Sequence, residues 1–237
     1  MRPLATLLFG MLAALPARAE APRPIVVELF TSQGCSSCPP ADALLSELAG
    51  RADVLPLAFH VTYWDRLGWR DPFSLPLATD RQRSYQSLLD TETIYTPQMI
   101  VEGRTDVVGS DRAGVRAALA AAQPGPSVPM TLTTSAAGLS ISVGAGAGEA
   151  SVLLVGYDPA HRTAVPRGEN AGRQLSESNI VRSLKRLAHW QGQSLSLSSP
   201  QPLGERAAVL LQARDGRILG AAVLSKAQAK TASGVSG

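Results

Sequence analysis

Two regimes of hydrophobic patterning divide the chain. In the first, short β-branched and aromatic runs alternate with stretches whose apolar positions recur every three or four residues. Pro24 to Phe30 reads as a buried strand, because a continuous apolar run of this length suits a sheet covered on both faces. Thr31-Ser32-Gln33-Gly34 interrupts it, and a helical pattern opening at Cys35 then sets Leu44, Leu45 and Leu48 on one face. Val54 to Val61 is a second strand. Thr79-Asp80-Arg81-Gln82 has the spacing of a capping box and predicts a helix carrying Tyr85, Leu88 and Leu89. Gln98 to Glu102 and Thr105 to Val108, joined at Gly103-Arg104, form a hairpin, and Ser110 or Asp111 caps a last helix through Val115 and Leu119. The predicted order is β-α-β-α-β-β-α.

Gln123-Pro124-Gly125-Pro126-Ser127-Val128-Pro129 cannot continue a helix, and beyond it the pattern changes to period two. Leu132, Leu139, Ile141 and Val143 alternate with Ser or Thr, with Ala136-Ala137-Gly138 between the runs. Val152 to Tyr157, Ala207 to Ala213 and Ile218 to Leu224 are further strands, the last two turning at Asp215-Gly216. Ile180 to Leu187 fits a helix or an edge strand. These signals predict an α/β domain over residues 20–123, a linker over 124–129, a small antiparallel β-sandwich over 130–225 and a loose tail over 226–237.

Composition narrows the class. With 237 residues, 45% of them hydrophobic and 17% charged, the chain has ample material for a core and is neither disordered nor fibrous. Arg2, an uncharged stretch from Leu4 to Leu15 and Pro16-Ala17-Arg18-Ala19 ahead of Glu20 have the order of a secretory signal peptide, residues 1–19. Its apolar part is about 12 residues, short of the roughly 20 that span a bilayer. The expectation is a periplasmic or secreted protein with no integral membrane segment after cleavage. Removing Arg2 and Arg18 from the 22 basic residues, against 19 acidic, leaves a formal charge of +1. No Lys or Arg stripe marks a nucleic-acid partner.

An oxidising compartment changes the meaning of the two cysteines, Cys35 and Cys38. A bridge across four residues removes little chain entropy, roughly 1.9 kcal/mol against about 4.7 for a 100-residue loop. Chemistry explains the pair better than stapling. A Cys-x-x-Cys that opens a helix after a buried strand would put Cys35 at the N-cap, where free N–H groups and the helix dipole favour a thiolate. Cys35 is then the exposed nucleophile and Cys38, one turn on, the buried resolving thiol. Pro39 and Pro40 suit a first turn. Pro97, just before a strand, suggests a cis Thr96–Pro97 bond, which would leave the Thr96 backbone free to pair with a substrate segment.

Leu29 to Pro39, with Thr96-Pro97 about 60 residues later and a β-β-α ending, resembles the thioredoxin superfamily. More narrowly the chain is similar to a family of secreted bacterial proteins of unknown function that pair this domain with a C-terminal β-rich one. His60-Val61-Thr62-Tyr63-Trp64-Asp65-Arg66-Leu67-Gly68-Trp69 and Arg167 to Arg173 resemble stretches of that family. The resemblance implies a thioredoxin-like fold, Cys35 and Cys38 as a redox pair, and Pro97 as a cis proline. It names no substrate. Gly34 stands where thioredoxin has tryptophan, and Ser36-Ser37 lies between the cysteines, so the redox direction stays open.

The expected activity is exchange with protein thiols or disulfides, or with small-molecule ones, needing no cofactor or bound metal. Cys35, Cys38 and Pro97 are the catalytic candidates. Gly34, Thr96 and Trp64 are the substrate-contacting candidates. The segment Tyr63 to Phe73 is either a recognition rim beside the cysteines or an insertion packed onto the domain. His60, His161 and His189 lack ligand spacing and read as structural or solvent-facing. Two other functions compete. Two thiolates suffice for Cu(I), with Met99 as a possible third ligand, although the mature chain holds only Met99 and Met130. A non-catalytic binding module would keep a permanent disulfide.

Overall fold

A computed structural model describes residues 23–122 and 127–224. The expected signal peptide, the expected C-terminal tail and residues 124–126 of the expected linker lie outside the described residues. Eleven strands and three helices follow in the order β1 (Ile25–Thr31), α1 (Pro39–Leu48), β2 (Val54–His60), α2 (Pro76–Leu89), β3 (Gln98–Val101), β4 (Thr105–Val108), α3 (Arg112–Ala121), β5 (Met130–Ser135), β6 (Gly138–Val143), β7 (Ala150–Ala164), β8 (Gln174–Trp190), β9 (Leu195–Ser199), β10 (Arg206–Ala213) and β11 (Ile218–Val223). The fold is mixed α/β, with a large sheet ordered β11-β10-β7-β8-β2-β1-β3-β4 and a small antiparallel sheet ordered β5-β6-β9.

β1 sits deep in the large sheet, parallel to β2 and antiparallel to β3, and every one of its residues is buried. Its side chains alternate between two cores. Val27 and Leu29 meet Leu44, Leu45 and Leu48 of α1 and Val115 and Leu119 of α3. Val26 and Phe30 join Phe59 of β2, and Ala78 and Tyr85 of α2. Glu28 shares that second face. It is fully buried, paired with Arg81 of α2 and accepting from the Tyr85 hydroxyl at 2.6 Å.

The C-terminal strands do not form a sandwich of their own, and this corrects the expected division. β8 pairs in parallel with β2 through Ala58 and Ile180, and the Asn179 side chain donates to the Pro56 carbonyl at 2.8 Å. Alternation along the C-terminal strands explains the outcome. Val155, Leu210 and Ala208 point into the core that holds Phe30 and Phe59. Leu154, Val209 and Leu211 point instead toward Leu139, Ile141 and Val143 of the small sheet, around the buried Trp190. Sheet-on-sheet packing is therefore present, but its larger layer belongs to the sheet that carries β1. Ile180 to Leu187 is strand, paired along its length with β7.

Local signals account for the remaining boundaries. α2 begins at Pro76, before the expected capping box, because proline suits the first helical position. Thr79 accepts instead from the Thr62 backbone N–H at 2.9 Å. Asp111, rather than Ser110, caps α3 by accepting from the N–H groups of Ala113 and Gly114. The β3–β4 turn seats against the β10–β11 turn, and Gly103, at φ +67°, approaches so closely that a Cβ would lie 1.8 Å from the Gly216 carbonyl oxygen.

Candidate functional site

The polypeptide between β1 and α1 carries the cysteines, and Cys35 and Cys38 are joined in a disulfide. Its path differs from the expected one. α1 starts at Pro39, so Cys38 is the N-cap and Cys35 lies one turn before the helix. Consecutive prolines at the first two helical positions fix that start, because neither has an N–H to leave unpaired. They also remove the donors expected to stabilise a thiolate. The next two N–H groups, of Ala41 and Asp42, are bonded to the Cys38 carbonyl at 2.9 and 3.1 Å. Exposure differs as well. Both cysteines are 0% exposed, whereas Ser36 and Ser37 between them face solvent. Cys35 is not the exposed member of the pair.

The proline strand entry lies across from this loop. The Thr96–Pro97 bond is cis. The Ser37 hydroxyl lies 3.3 Å from Cys35 Sγ and 3.5 Å from the Thr96 carbonyl oxygen. The Trp64 indole N–H donates to Thr96 Oγ1 at 2.8 Å, and a Cβ on Gly34 would lie 3.1 Å from Trp64 Cβ. Gly34, Trp64, Thr96 and the cysteine loop thus come together, while Pro97 is buried and its carbonyl accepts from Gly109 N–H at 2.8 Å. Met99 packs into the core beneath α1. Among the described residues, no group of three or more His, Cys, Asp or Glu side chains could hold a metal.

Below the loop is a buried charge cluster. His60 ends β2 and Thr31 ends β1, as register partners. His60 Nδ1 donates to Asp71 at 2.7 Å, and its Nε2 lies 3.8 Å from Glu177. Burial works against the charged imidazolium, but the carboxylates of Asp71, Glu177 and Asp42 outweigh it and lift His60 to about 9. Asp42, in the first turn of α1, accepts from the Thr31 hydroxyl at 2.8 Å. Burial, reinforced by Glu177, pushes Asp42 up to about 7. Burial also raises Glu177, while the His60 charge holds Asp71 below the ordinary carboxylate range despite its burial.

Gln33 ties this cluster to the disulfide. Its backbone N–H donates to Asp71 at 2.8 Å and its side-chain amide donates to Glu177 at 2.7 Å. Its side-chain carbonyl accepts from the Trp69 indole at 3.1 Å. The Tyr63 to Phe73 segment is therefore packed onto the domain, with Asp65 accepting from Asp71 N–H and the Ser74 hydroxyl, and it also borders the cysteine loop. From above, the Asn170 amide donates to the carbonyls of Gln33 and Cys35, both at 2.9 Å. Glu169 accepts from Ser36 N–H at 3.1 Å, which keeps its carboxyl below the ordinary range.

His60, Glu169 and Asn170 join the site in the fold although no sequence motif marks a chemical role for them. The available signal is two polar residues, Thr31 and His60, ending two wholly buried strands whose one other polar residue is Glu28.

Residues 26–212 match the family model described as protein of unknown function (DUF1223). The chain belongs to that family. It is similar to a crystal structure of an Agrobacterium tumefaciens protein from a structural genomics programme. Identity is 33%, 87% of this chain and 96% of that chain are covered, and the TM-score is 0.74. HBP35 of Porphyromonas gingivalis is similar at 13% identity, over 84% of this chain and 74% of that one, with a TM-score of 0.58, a likeness of fold alone. No curated protein matches the chain. The family match takes in both cysteines, the charge cluster and the Asn170 segment.

Proposed function

We propose that the chain is an exported thiol–disulfide oxidoreductase of thioredoxin-like layout, exchanging Cys35 and Cys38 with thiols or disulfides of partner proteins or small molecules. One observation carries the reading. The disulfide closes a ring of four residues at the start of α1, beside Thr96 and above a buried cluster of titratable groups. So short a ring contributes little as a staple, and perturbed ionisable groups concentrate at functional sites. The β-α-β-α-β-β-α order of the first seven elements, with β3 antiparallel to β1, supports the thioredoxin-like layout.

In the reducing direction, a partner thiolate attacks Cys35 Sγ and the bond to Cys38 breaks. Cys38 leaves as a thiolate and takes up a proton. Asp42, protonated up to about pH 7 and four residues on from Cys38, is a proton source within the same buried region. A second partner thiolate attacks the mixed disulfide, releasing the partner disulfide and leaving Cys35 reduced. Reversal of these steps reduces a partner disulfide and restores the Cys35–Cys38 bond.

Burial of both sulfurs favours one other reading, a binding module with a permanent disulfide. Two experiments separate them. Cys38→Ala in the exporting cell should trap covalent adducts on Cys35 that dithiothreitol releases. The wild-type protein should reduce or oxidise a model disulfide. Absence of both overturns the redox reading. A Cys35→Ser variant with wild-type behaviour, in a protein whose disulfide resists mild reductants, establishes the binding module.

A further inference from the structure

The proposal above leaves one geometric demand unmet. A thiolate must approach Cys35 Sγ along the sulfur–sulfur axis, and that sulfur is closed off from solvent although its neighbour Ser36 is exposed. Part of the closure comes from the distant end of the β7–β8 hairpin. Residues 165–173 reach over the cysteine loop, and two successive residues, Glu169 and Asn170, make three hydrogen bonds to Gln33, Cys35 and Ser36.

We infer that this hairpin tip is a gate over the disulfide, with Asn170 as its latch. The inference rests on the redox reading. Its physical basis is the tip's own construction. Val165 N–H donates to the Arg173 carbonyl at 2.9 Å, and Gly172 N–H donates to the Val165 carbonyl at 2.8 Å, so the tip closes on itself and moves as a unit. Gly168, at φ +81°, lets it seat against the loop before the cluster: a Cβ there would lie 3.0 Å from Trp69 Cβ. Buried Asn170 spends both amide hydrogens on backbone carbonyls, while its Oδ1 is buried with no partner. The closed arrangement thus gains two hydrogen bonds and carries the desolvation of one unpaired acceptor. A latch of that kind holds, yet releases without unfolding the β7–β8 ladder.

Asn170→Ala removes both donors, and Asn170→Asp turns a carboxylate toward two carbonyl oxygens. Each variant of the full, oxidised chain is mixed with dithiothreitol, and free thiols are captured with a maleimide at timed intervals. Arg173→Ala, an exposed change on the same tip, is the control. The gate predicts reduction roughly 10- to 100-fold faster in both Asn170 variants, a wild-type rate in the control, and an unchanged thermal midpoint in at least one Asn170 variant. Equal rates in wild type and both variants overturn the gate and leave the redox reading standing. Acceleration that tracks a lowered thermal midpoint in both variants also overturns it, since the route is then global unfolding. A disulfide that opens in none of these proteins unless denatured removes the redox reading and the gate together.

Discussion

Asp42 offers the sharpest test of the buried cluster, because its substitution by Asn keeps the shape and the acceptor for the Thr31 hydroxyl while removing the titration. Burial, with Glu177 second, raises Asp42 from the ordinary 3.8 to about 7. In the unfolded chain the group ionises near 3.8, while the folded protein keeps its proton up to about 7. The folded state therefore binds more protons across that window, and stability falls as pH rises through it. About three pKa units at ~1.4 kcal/mol each set a ceiling of roughly 4 kcal/mol on the fall. His60 acts in the next window. Its folded value of about 9 lies above the unfolded 6.5, so its contribution is complete below 6.5 and is lost as pH rises through 9. Urea unfolding of the oxidised protein at half-unit steps from pH 4 to pH 9 reads both. Wild type minus Asp42→Asn should fall steadily between pH 4 and 7 and then level off, while both proteins keep the decline above 6.5. Parallel curves between pH 4 and 7 would refute the argument, since Asp42 would then ionise alike in the folded and unfolded states.

Three further substitutions probe buried contacts and close turns of the fold. Glu28→Ala leaves Arg81 buried without its carboxylate and Tyr85 without its acceptor, and should cost about 3–5 kcal/mol in urea unfolding. Gly103→Ala drives a Cβ into the Gly216 carbonyl and should separate the two turns, with a large loss of thermal midpoint. Gly148→Ala, also at positive φ but with nothing within 4 Å, should cost only the backbone strain, about 1–2 kcal/mol.

Much of the fold is readable along the chain. β1, β2, the β3–β4 hairpin, the Asp111 cap of α3 and the turn at Asp215-Gly216 follow from apolar runs and turn residues, which are local features. The start of α1 differs from the expected one because the leucine spacing extends back toward Cys35, whereas the two prolines decide where hydrogen bonding begins. The joining of the two halves through Ala58 and Ile180 leaves no local mark, since a parallel pairing between remote strands depends on packing rather than on a turn. The site shows the same split. Cys35 and Cys38 announce themselves by spacing. Asp42, His60, Asp71 and Glu177 come from four separate segments and form no motif until the sheet assembles.

The parallel contact between β2 and β8 has a practical consequence for anyone who wishes to work with a shorter version. A fragment ending at residue 122 would strip β8 from β2 at Ala58, leave the Pro56 carbonyl without the Asn179 amide, and uncover the core where Phe59 and Phe30 cluster with Tyr157 and Val181. Such an edge invites pairing with other copies. The cysteine-bearing portion is thus a poor candidate for excision, and its partner strands are as much a part of its foundation as its own helices.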